Sequence, residues 1–141
     1  MMLNFRNLLV SMTGLMVFLG ACSGNSTRAD SSAQGKPICQ KITPDAAYRM
    51  MRESDDFILL DVRSNEEFLE RHIAGAILLP VNELEKRVES ELPDKNAVII
   101  VYCRSGARSA NAAKILVEKS YAHVHDMGGI IDWPFETVGG N

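Results

Sequence analysis

The fold of this chain is decided by one stretch, residues 97–109, which has the sequence AVIIVYCRSGARS. The run of branched apolar residues that opens it does not alternate with polar ones, a pattern typical of a strand buried on both faces of a sheet. Beyond it, apolar positions recur at helical spacing, which predicts a helix over 109–119. Cys103 is therefore expected between a buried strand and a helix, where open α/β sheets bind their ligands.

This position favours an ionised thiol at Cys103. Lowering a thiol pKa from ~8.5 to ~6.5 takes about 2.7 kcal/mol, and a helix dipole supplies only ~0.3 to 1 kcal/mol. We expect the rest to come from the backbone amides of residues 104–108, wrapped around a solvent-accessible sulfur, with Arg104 and Arg108 adding positive charge. Gly106 would permit so tight a turn. The alternative, a buried structural cysteine, would not need two arginines and a glycine beside it.

Composition limits the classes of function. The chain has 141 residues, 46% of them hydrophobic and 23% charged, with a net charge of -3, which suits one compact domain with an appendage. Because the net charge is mildly acidic and the basic residues are scattered, the sequence predicts no nucleic-acid partner.

The appendage is the N-terminus, where Arg6 precedes an apolar run over 8–19. That run is shorter than the roughly 20 residues of a membrane span but suits the core of a signal peptide. It ends in Leu19-Gly20-Ala21-Cys22, which resembles the lipobox of bacterial lipoproteins. Residues 1–21 are thus predicted to be a lipoprotein signal peptide and Cys22 the lipidation site. An ordinary cleavage site with a chance cysteine is the alternative.

The lipobox implies a periplasmic protein that contacts the membrane through its lipid anchor only, and Ser23 favours the outer membrane. Residues 22–37 lack apolar periodicity and are predicted to form a flexible tether with a span of roughly 20 to 23 Å, although a plain disordered terminus would look the same. Residues 38–141 are then the folded domain.

Within this domain, turn and capping signals separate short apolar runs. Thr43 with Pro44, and Ser64 with Glu67, are typical helix N-termini. The patterns predict strands at 38–42, 57–62, 77–79, 97–101 and 122–127, helices at 44–52, 65–71, 82–92 and 109–119, and a terminal turn or helix over 128–134. This alternation predicts an α/β fold, a doubly wound and mainly parallel sheet of about five strands with helices on both faces.

Several separated motifs together resemble the single-domain rhodaneses, which are thiosulfate sulfurtransferases. They are Asp61-Val62-Arg63, Glu67-Phe68, His72-Ile73 with Gly75-Ala76 and Pro80, the 103–109 stretch, and Gly128-Gly129 with Trp133. The resemblance implies a rhodanese-like fold and a catalytic persulfide on Cys103.

The resemblance also implies roles for the surrounding residues. Arg104, Ser105, Gly106, Ala107 and Arg108 would bind substrate, the two arginines attracting an anionic donor such as thiosulfate, and Asp61 and Arg63 would support the loop. The implied reaction passes a sulfur to cyanide or a thiol without metal or cofactor. We expect a monomer.

The chain departs from the rhodanese pattern at two positions. Arg71 and Ser120 stand where the family usually has glycine, which would cost about 1 kcal/mol wherever the backbone is left-handed. We interpret Arg71 as a solvated helix-terminal arginine, with substrate contact as the alternative.

Two other functions are compatible with the motifs. One is a non-enzymatic persulfide carrier or binding module; a relative that only binds a partner could lose the cysteine, which this chain has kept. The other is a phosphatase or arsenate reductase, but only four residues separate Cys103 from Arg108, whereas dual-specificity phosphatases have five. The shorter loop suits a sulfur atom better than a phosphate.

Structural roles are expected for the remaining candidate residues. Cys39 is expected to fill space in an edge strand, with a Cys39 to Cys103 disulfide as the alternative. His123 and His125 share a strand face but have no third metal ligand at suitable spacing. Trp133 is expected in the core.

Overall fold

The computed structural model describes residues 37–140, so the predicted signal peptide, Cys22 and nearly all of the tether lie outside the described residues. The strands are β1 (Ile38–Lys41), β2 (Ile58–Asp61), β3 (Ile77–Leu78), β4 (Val98–Cys103) and β5 (His123–Gly129). The helices are α1 (Pro44–Glu53), α2 (Asn65–Glu70), α3 (Val81–Glu91) and α4 (Ala107–Glu118), followed by a 3-10 turn at Ile130–Asp132.

All five strands form one parallel sheet in the order β1-β5-β4-β2-β3, which confirms the predicted fold class. Strand β4 lies at the centre, between β5 and β2. Its last residue, Cys103, pairs with Gly129, the last residue of β5. The cysteine therefore lies at the carboxyl edge of the sheet.

Strand β4 is buried on both faces, as its unbroken apolar run predicts. Val101 and Cys103 pack on one face with Leu84 of α3 and Leu116 of α4. The neighbouring residues Ile100 and Tyr102 pack on the other face with Ala47 of α1 and Trp133. Burying an aliphatic or aromatic side chain contributes about 1.5 to 3 kcal/mol, so β4 is the main anchor of the carboxyl edge.

The predicted helix caps are present. The Thr43 hydroxyl accepts a hydrogen bond from the Ala46 amide at 3.2 Å. Ser64 and Glu67 form a complete capping box, in which each side chain accepts from the other's backbone amide. The capping box fixes the start of α2, the helix that contributes Glu67 to the site.

Three boundaries around the site differ from the sequence-based prediction. Strand β4 continues through Cys103 and α4 begins at Ala107, so the connecting loop is only 104–106. Gly106 caps α4 in a left-handed conformation (φ 103°), which lets the helix begin two residues before the predicted Ser109. Strand β5 continues through Gly129 because Gly128 and Gly129 pair with Tyr102 and Cys103.

The two departures from the rhodanese pattern have different consequences. Arg71 is extended (φ -166°), so the missing glycine costs nothing there. Ser120 is left-handed (φ 67°), and the expected cost of about 1 kcal/mol applies to it. Among residues 37–140, no helix combines the length and apolar character that crossing a membrane requires.

Candidate active site

Cys103 ends β4 with its sulfur under the following turn. The Gly106 amide donates a hydrogen bond to Sγ of Cys103 at 3.0 Å. This contact closes the loop back on the sulfur, and the left-handed Gly106 makes so sharp a return of the chain feasible. We call the set of backbone amides that face Sγ of Cys103 the amide cradle. The predicted cradle is therefore present at Gly106.

The electrostatics of the cradle favour the thiolate. Burial by itself raises the pKa of the Cys103 thiol, but hydrogen bonds from the amides of Ser109, Gly106 and Ser105 and from the Ser109 hydroxyl outweigh it. The net pKa of Cys103 lies below its ordinary value. The amides that act are thus partly those of the first turn of α4, and the lowered pKa is due to hydrogen bonds rather than mainly to arginine charges.

The expectation of a solvent-accessible sulfur is wrong. Cys103 is only 1% exposed, because its side chain packs into the core face of β4 under the 104–106 loop. A thiolate can exist at such a depth only because amide donors replace water around it. The 104–106 loop therefore separates the sulfur from solvent.

Ser109 was not among the predicted site residues. It is fully buried in the first turn of α4, and its hydroxyl lies 3.0 Å from the Gly106 carbonyl and 3.3 Å from the Gly128 carbonyl. Since a hydroxyl has one proton, it serves these two carbonyls and the Cys103 sulfur alternately. Ser109 connects α4, the loop and β5. A serine in the first turn of a helix is the only signal of this role in the sequence.

Gly129 allows the loop to approach β5 closely. A Cβ atom at this position would lie 2.5 Å from the Arg104 carbonyl oxygen and 2.8 Å from Cα of Ser105. No side chain fits there without moving the loop that covers the sulfur. The requirement at Gly129 is therefore steric, whereas that at Gly106 is conformational.

Arg108 is already paired with an acid. Its guanidinium donates hydrogen bonds of 2.6 and 2.8 Å to the two carboxylate oxygens of Glu67 on α2. These hydrogen bonds are the main cause that lowers the pKa of Glu67, to about 2. The prediction that Arg108 adds free positive charge to the loop needs correction, because Glu67 compensates that charge. Glu67 was expected as a capping residue and as part of a family motif, not as the partner of Arg108.

The other predicted site residues lie around the cradle. Ser105 is in the loop and exposed, Ala107 begins α4, and the exposed Arg104 lines a pocket at the edge of the sheet. Asp61 and Arg63 are buried and form an ion pair with a shortest distance of 2.6 Å. Arg63 also donates to the Arg71 carbonyl oxygen at 2.6 Å, which ties the end of β2 to the end of α2.

The pocket at this edge has a volume of about 380 Å³. Charged side chains make up most of its lining, which consists of Arg63, Glu67, Glu70, Arg71, Arg104, Ile130 and Ile131. Arg71 therefore lies at the pocket rather than simply in solvent. Glu70 and the two isoleucines were not predicted to be near the site.

Outside the pocket, the predictions for the remaining residues have mixed outcomes. Cys39 lies on the edge strand β1, as expected, but it is exposed there and does not fill space between elements. Cys39 lies two strands away from β4, level with Ile99, which is four residues before Cys103. At standard strand spacings the two cysteines are about 16 Å apart, which is too far for a disulfide. Both thiols are free.

The two histidines of β5 differ in exposure. His123 is exposed, and Nδ1 of His125 is buried without a hydrogen-bond partner in the described part of the chain. Within residues 37–140, no group of three or more His, Cys, Asp or Glu side chains is arranged to hold a metal ion. Trp133 is buried with α1, as predicted.

The chain is similar to a known family and to named proteins over most of the described residues. The family model described as a rhodanese-like domain matches residues 43–134. The chain is 40% identical over 81 residues to the thiosulfate sulfurtransferase PspE of Escherichia coli, covering 57% of this chain and 78% of that protein. It is 40% identical over 95 residues to the thiosulfate sulfurtransferase GlpE of Haemophilus influenzae, covering 67% and 87%.

A solved structure agrees with these relatives. A structure described as a rhodanese with anions from E. coli superposes with a TM-score of 0.55 at 38% identity, over 59% of this chain and 98% of that one. Residues 43–134, which the family model matches, contain β2 to β5 and the whole 103–109 stretch.

Proposed function

This chain belongs to the rhodanese-like family and is a sulfurtransferase, and we propose that it carries the transferred sulfur as a persulfide on Cys103. The proposed donor is thiosulfate or a similar sulfane compound. The proposed acceptor is a thiophilic molecule, either cyanide or a thiol. The thiosulfate part rests on the names of the relatives PspE and GlpE.

One observation carries the assignment to Cys103: the Gly106 amide donates to its sulfur at 3.0 Å, and the net pKa of that thiol is lowered. A thiolate, not a thiol, is the nucleophile in sulfur transfer. A structural cysteine in a core would instead have its pKa raised by burial.

In the first half of the reaction, the Cys103 thiolate attacks the outer sulfur of thiosulfate. A bond forms between Sγ and that sulfur, and the sulfur–sulfur bond of the donor breaks with its electron pair leaving on sulfite. The product is a Cys103 persulfide anion, so charge and atoms balance without an oxidant.

In the second half, the acceptor attacks the outer sulfur of the persulfide. The bond to Sγ breaks and its electron pair returns to Cys103 as thiolate, while the acceptor leaves as thiocyanate or as a new persulfide. Because the negative charge stays within the same ring of amides in both halves, Ser105, Gly106 and Ser109 can stabilise it without rearranging.

Arg104 and Arg108 have different proposed roles. Arg104 is exposed at the pocket and is suited to attract an anionic donor. Arg108, held by Glu67, is suited to fix the first turn of α4 and thereby the Ser109 amide. The solved structure described as a rhodanese with anions is consistent with a domain that binds anions.

The test is a sulfur-transfer assay with thiosulfate and cyanide on the wild type and a Cys103→Ser variant, with Cys39→Ser as the matched control. We expect thiocyanate from the wild type and from Cys39→Ser, and none above background from Cys103→Ser. Activity that survives in Cys103→Ser would overturn the assignment. Hydrolysis of an aryl phosphate that is lost in Cys103→Ser would instead support the phosphatase alternative.

We further propose that residues 1–21 are removed as a lipoprotein signal and that Cys22 anchors the domain in the periplasm, at the outer membrane as Ser23 favours. The support is the lipobox-like sequence alone. The test is expression with a labelled fatty acid. Label on the wild type and not on Cys22→Ser is the expected result, and equal label on both would contradict the anchor.

A further inference from the structure

The pocket of about 380 Å³ lies directly beside the sulfur cradle. Arg104, in its lining, follows Cys103 in the chain, and its carbonyl accepts a hydrogen bond of 3.2 Å from the Ile131 amide. Ile130 follows Gly129, the sheet partner of Cys103. A volume of this size lies in the range of roughly 300 to 1,000 Å³ that holds organic small molecules, and it greatly exceeds the needs of cyanide.

The charges that line this pocket fall into two groups. Arg63 is paired with Asp61, and Glu67 is paired with Arg108. Glu70, Arg71 and Arg104 make no ion pair and no side-chain hydrogen bond with any residue in the described 37–140 segment. Two positive charges and one negative charge therefore remain for a ligand.

The backbone that carries Glu70 and Arg71 is held from two sides. Arg63 donates to the Arg71 carbonyl at 2.6 Å. On the other side lies the C-terminal strap, residues 138–140, which exchanges two hydrogen bonds of 2.7 and 2.8 Å between Val138 and His72. The Gly140 amide adds a hydrogen bond of 3.0 Å to the Leu69 carbonyl. The two side chains thus project from a fixed support, and such preorganisation lowers the entropic cost of binding.

The geometry points to a specific class of acceptor: a low-molecular-weight thiol that carries both carboxylate and ammonium groups. Arg71 and Arg104 would contact the carboxylates and Glu70 the ammonium, while the exposed Ile131 would contact the methylene chain. Neither thiosulfate nor cyanide has a cationic group that could bind Glu70. Cyanide also has no carboxylate that could bind Arg71 and Arg104. This inference rests on the proposed function, since it names the acceptor that removes the sulfur from Cys103.

Arg71 is then a specificity-determining residue of this chain. The rhodanese pattern has glycine at this position, so a side chain that contacts the acceptor there is a feature of the present sequence. The chemistry requires no co-reactant. The acceptor thiolate attacks the outer sulfur of the persulfide, the bond to Sγ breaks, and its electron pair returns to Cys103.

The experiment loads the protein with thiosulfate, removes excess donor, and measures how fast four thiols discharge the persulfide. The probes are glutathione, which has both charged groups, cysteamine with ammonium only, 3-mercaptopropionate with carboxylate only, and 2-mercaptoethanol with neither. Rates are compared per concentration of thiolate. We expect glutathione to react fastest, by about tenfold over 2-mercaptoethanol, the factor that corresponds to about 1.4 kcal/mol.

Three variants locate the effect. Arg71→Gln should slow glutathione and 3-mercaptopropionate about fivefold, part of the tenfold advantage, with 2-mercaptoethanol and cyanide changed less than about twofold. Arg71→Lys should restore part of the glutathione rate because it keeps the charge. Arg49→Gln, a change at an exposed arginine on α1 away from the pocket, is the matched control and should leave all rates unchanged.

The outcomes separate this inference from the proposed function. If no persulfide forms, the proposed function fails. If the persulfide forms but glutathione is no faster than 2-mercaptoethanol, or Arg71→Gln slows every acceptor equally, the acceptor inference is overturned while the transferase assignment stands.

Discussion

Glu67 on α2 binds Arg108 on α4 by accepting two hydrogen bonds of 2.6 and 2.8 Å, across a sequence separation of 41 residues. The same glutamate completes the capping box with Ser64. One carboxylate therefore starts α2 and holds the first turn of the helix whose amides face the sulfur. The Arg108 charge is balanced by this contact, so the thiolate depends chiefly on hydrogen bonds.

Removing Glu67 and removing Arg108 should shift the pKa of Cys103 in opposite directions. Glu67→Gln removes a nearby negative charge and should lower that pKa by about half a unit to one unit, whereas Arg108→Gln should raise it by a similar amount. The measurement is the ultraviolet absorbance of the thiolate against pH in variants that lack Cys39. Shifts of the same sign in both variants would mean that the pair acts only through the position of α4.

Acid should expose the contribution of Glu67 to stability. Its pKa in the folded protein is about 2, below the value of the unfolded chain, because Arg108 hydrogen-bonds to its charged form. The stabilisation is therefore complete above the unfolded pKa of about 4.3 and is lost as the pH falls toward 2. Solvent screens part of this partly exposed pair, so we expect a loss on the order of 1 to 2 kcal/mol.

Denaturant unfolding of the wild type and Glu67→Gln at several pH values measures this loss. The difference in unfolding free energy between the two proteins should shrink as the pH falls from about 5 to 2. A difference that stays constant over this range would show that the pair contributes nothing through ionisation.

The two free thiols in the described part of the chain should titrate differently. Hydrogen bonds to the sulfur outweigh burial and lower the pKa of Cys103, whereas burial, with the Asp126 charge, raises that of Cys39. In variants that keep one of the two cysteines, the midpoint of the iodoacetamide rate should lie below about 8.5 for Cys103 and above it for Cys39. The maximal rate should be lower at Cys103, which is buried. Equal midpoints would argue against the amide cradle.

Two adjacent glycines allow a matched test of the loop geometry. Gly129→Ala would place a Cβ 2.5 Å from the Arg104 carbonyl oxygen and should displace the loop over the sulfur. Gly128→Ala meets no atom within 4 Å but has a φ of +86°, so it should cost only about 1 to 2 kcal/mol of conformational strain. We expect Gly129→Ala to lose at least about tenfold more transferase activity. Similar losses in the two variants would contradict the steric role of Gly129.

The parts of this structure that could be predicted from the sequence depend on local signals. The unbroken apolar run before Cys103 predicts a doubly buried strand, and the capping box at Ser64 predicts the start of α2; the structure has both. The position of Cys103 at a strand–helix junction follows from these patterns. These signals are local because the hydrogen-bond and side-chain patterns of strands and helices repeat every few residues.

The parts that could not be predicted depend on tertiary contacts. Glu67 already had a local partner in Ser64, so nothing in the sequence indicated its second contact with Arg108. The depth of Cys103 is set by how closely the loop packs on Gly129, and the role of Ser109 depends on the Gly128 carbonyl. Arg71 lines the pocket because Arg63 and the C-terminal strap hold its backbone.

The most direct test of the central claim is mass spectrometry of the purified protein after exposure to thiosulfate, with Cys103 shown to be a free thiol beforehand. We expect one added sulfur atom, located by peptide mapping on Cys103, absent from Cys103→Ser and unchanged in Cys39→Ser. An unmodified Cys103 under these conditions, or sulfur found only on Cys39, would contradict it.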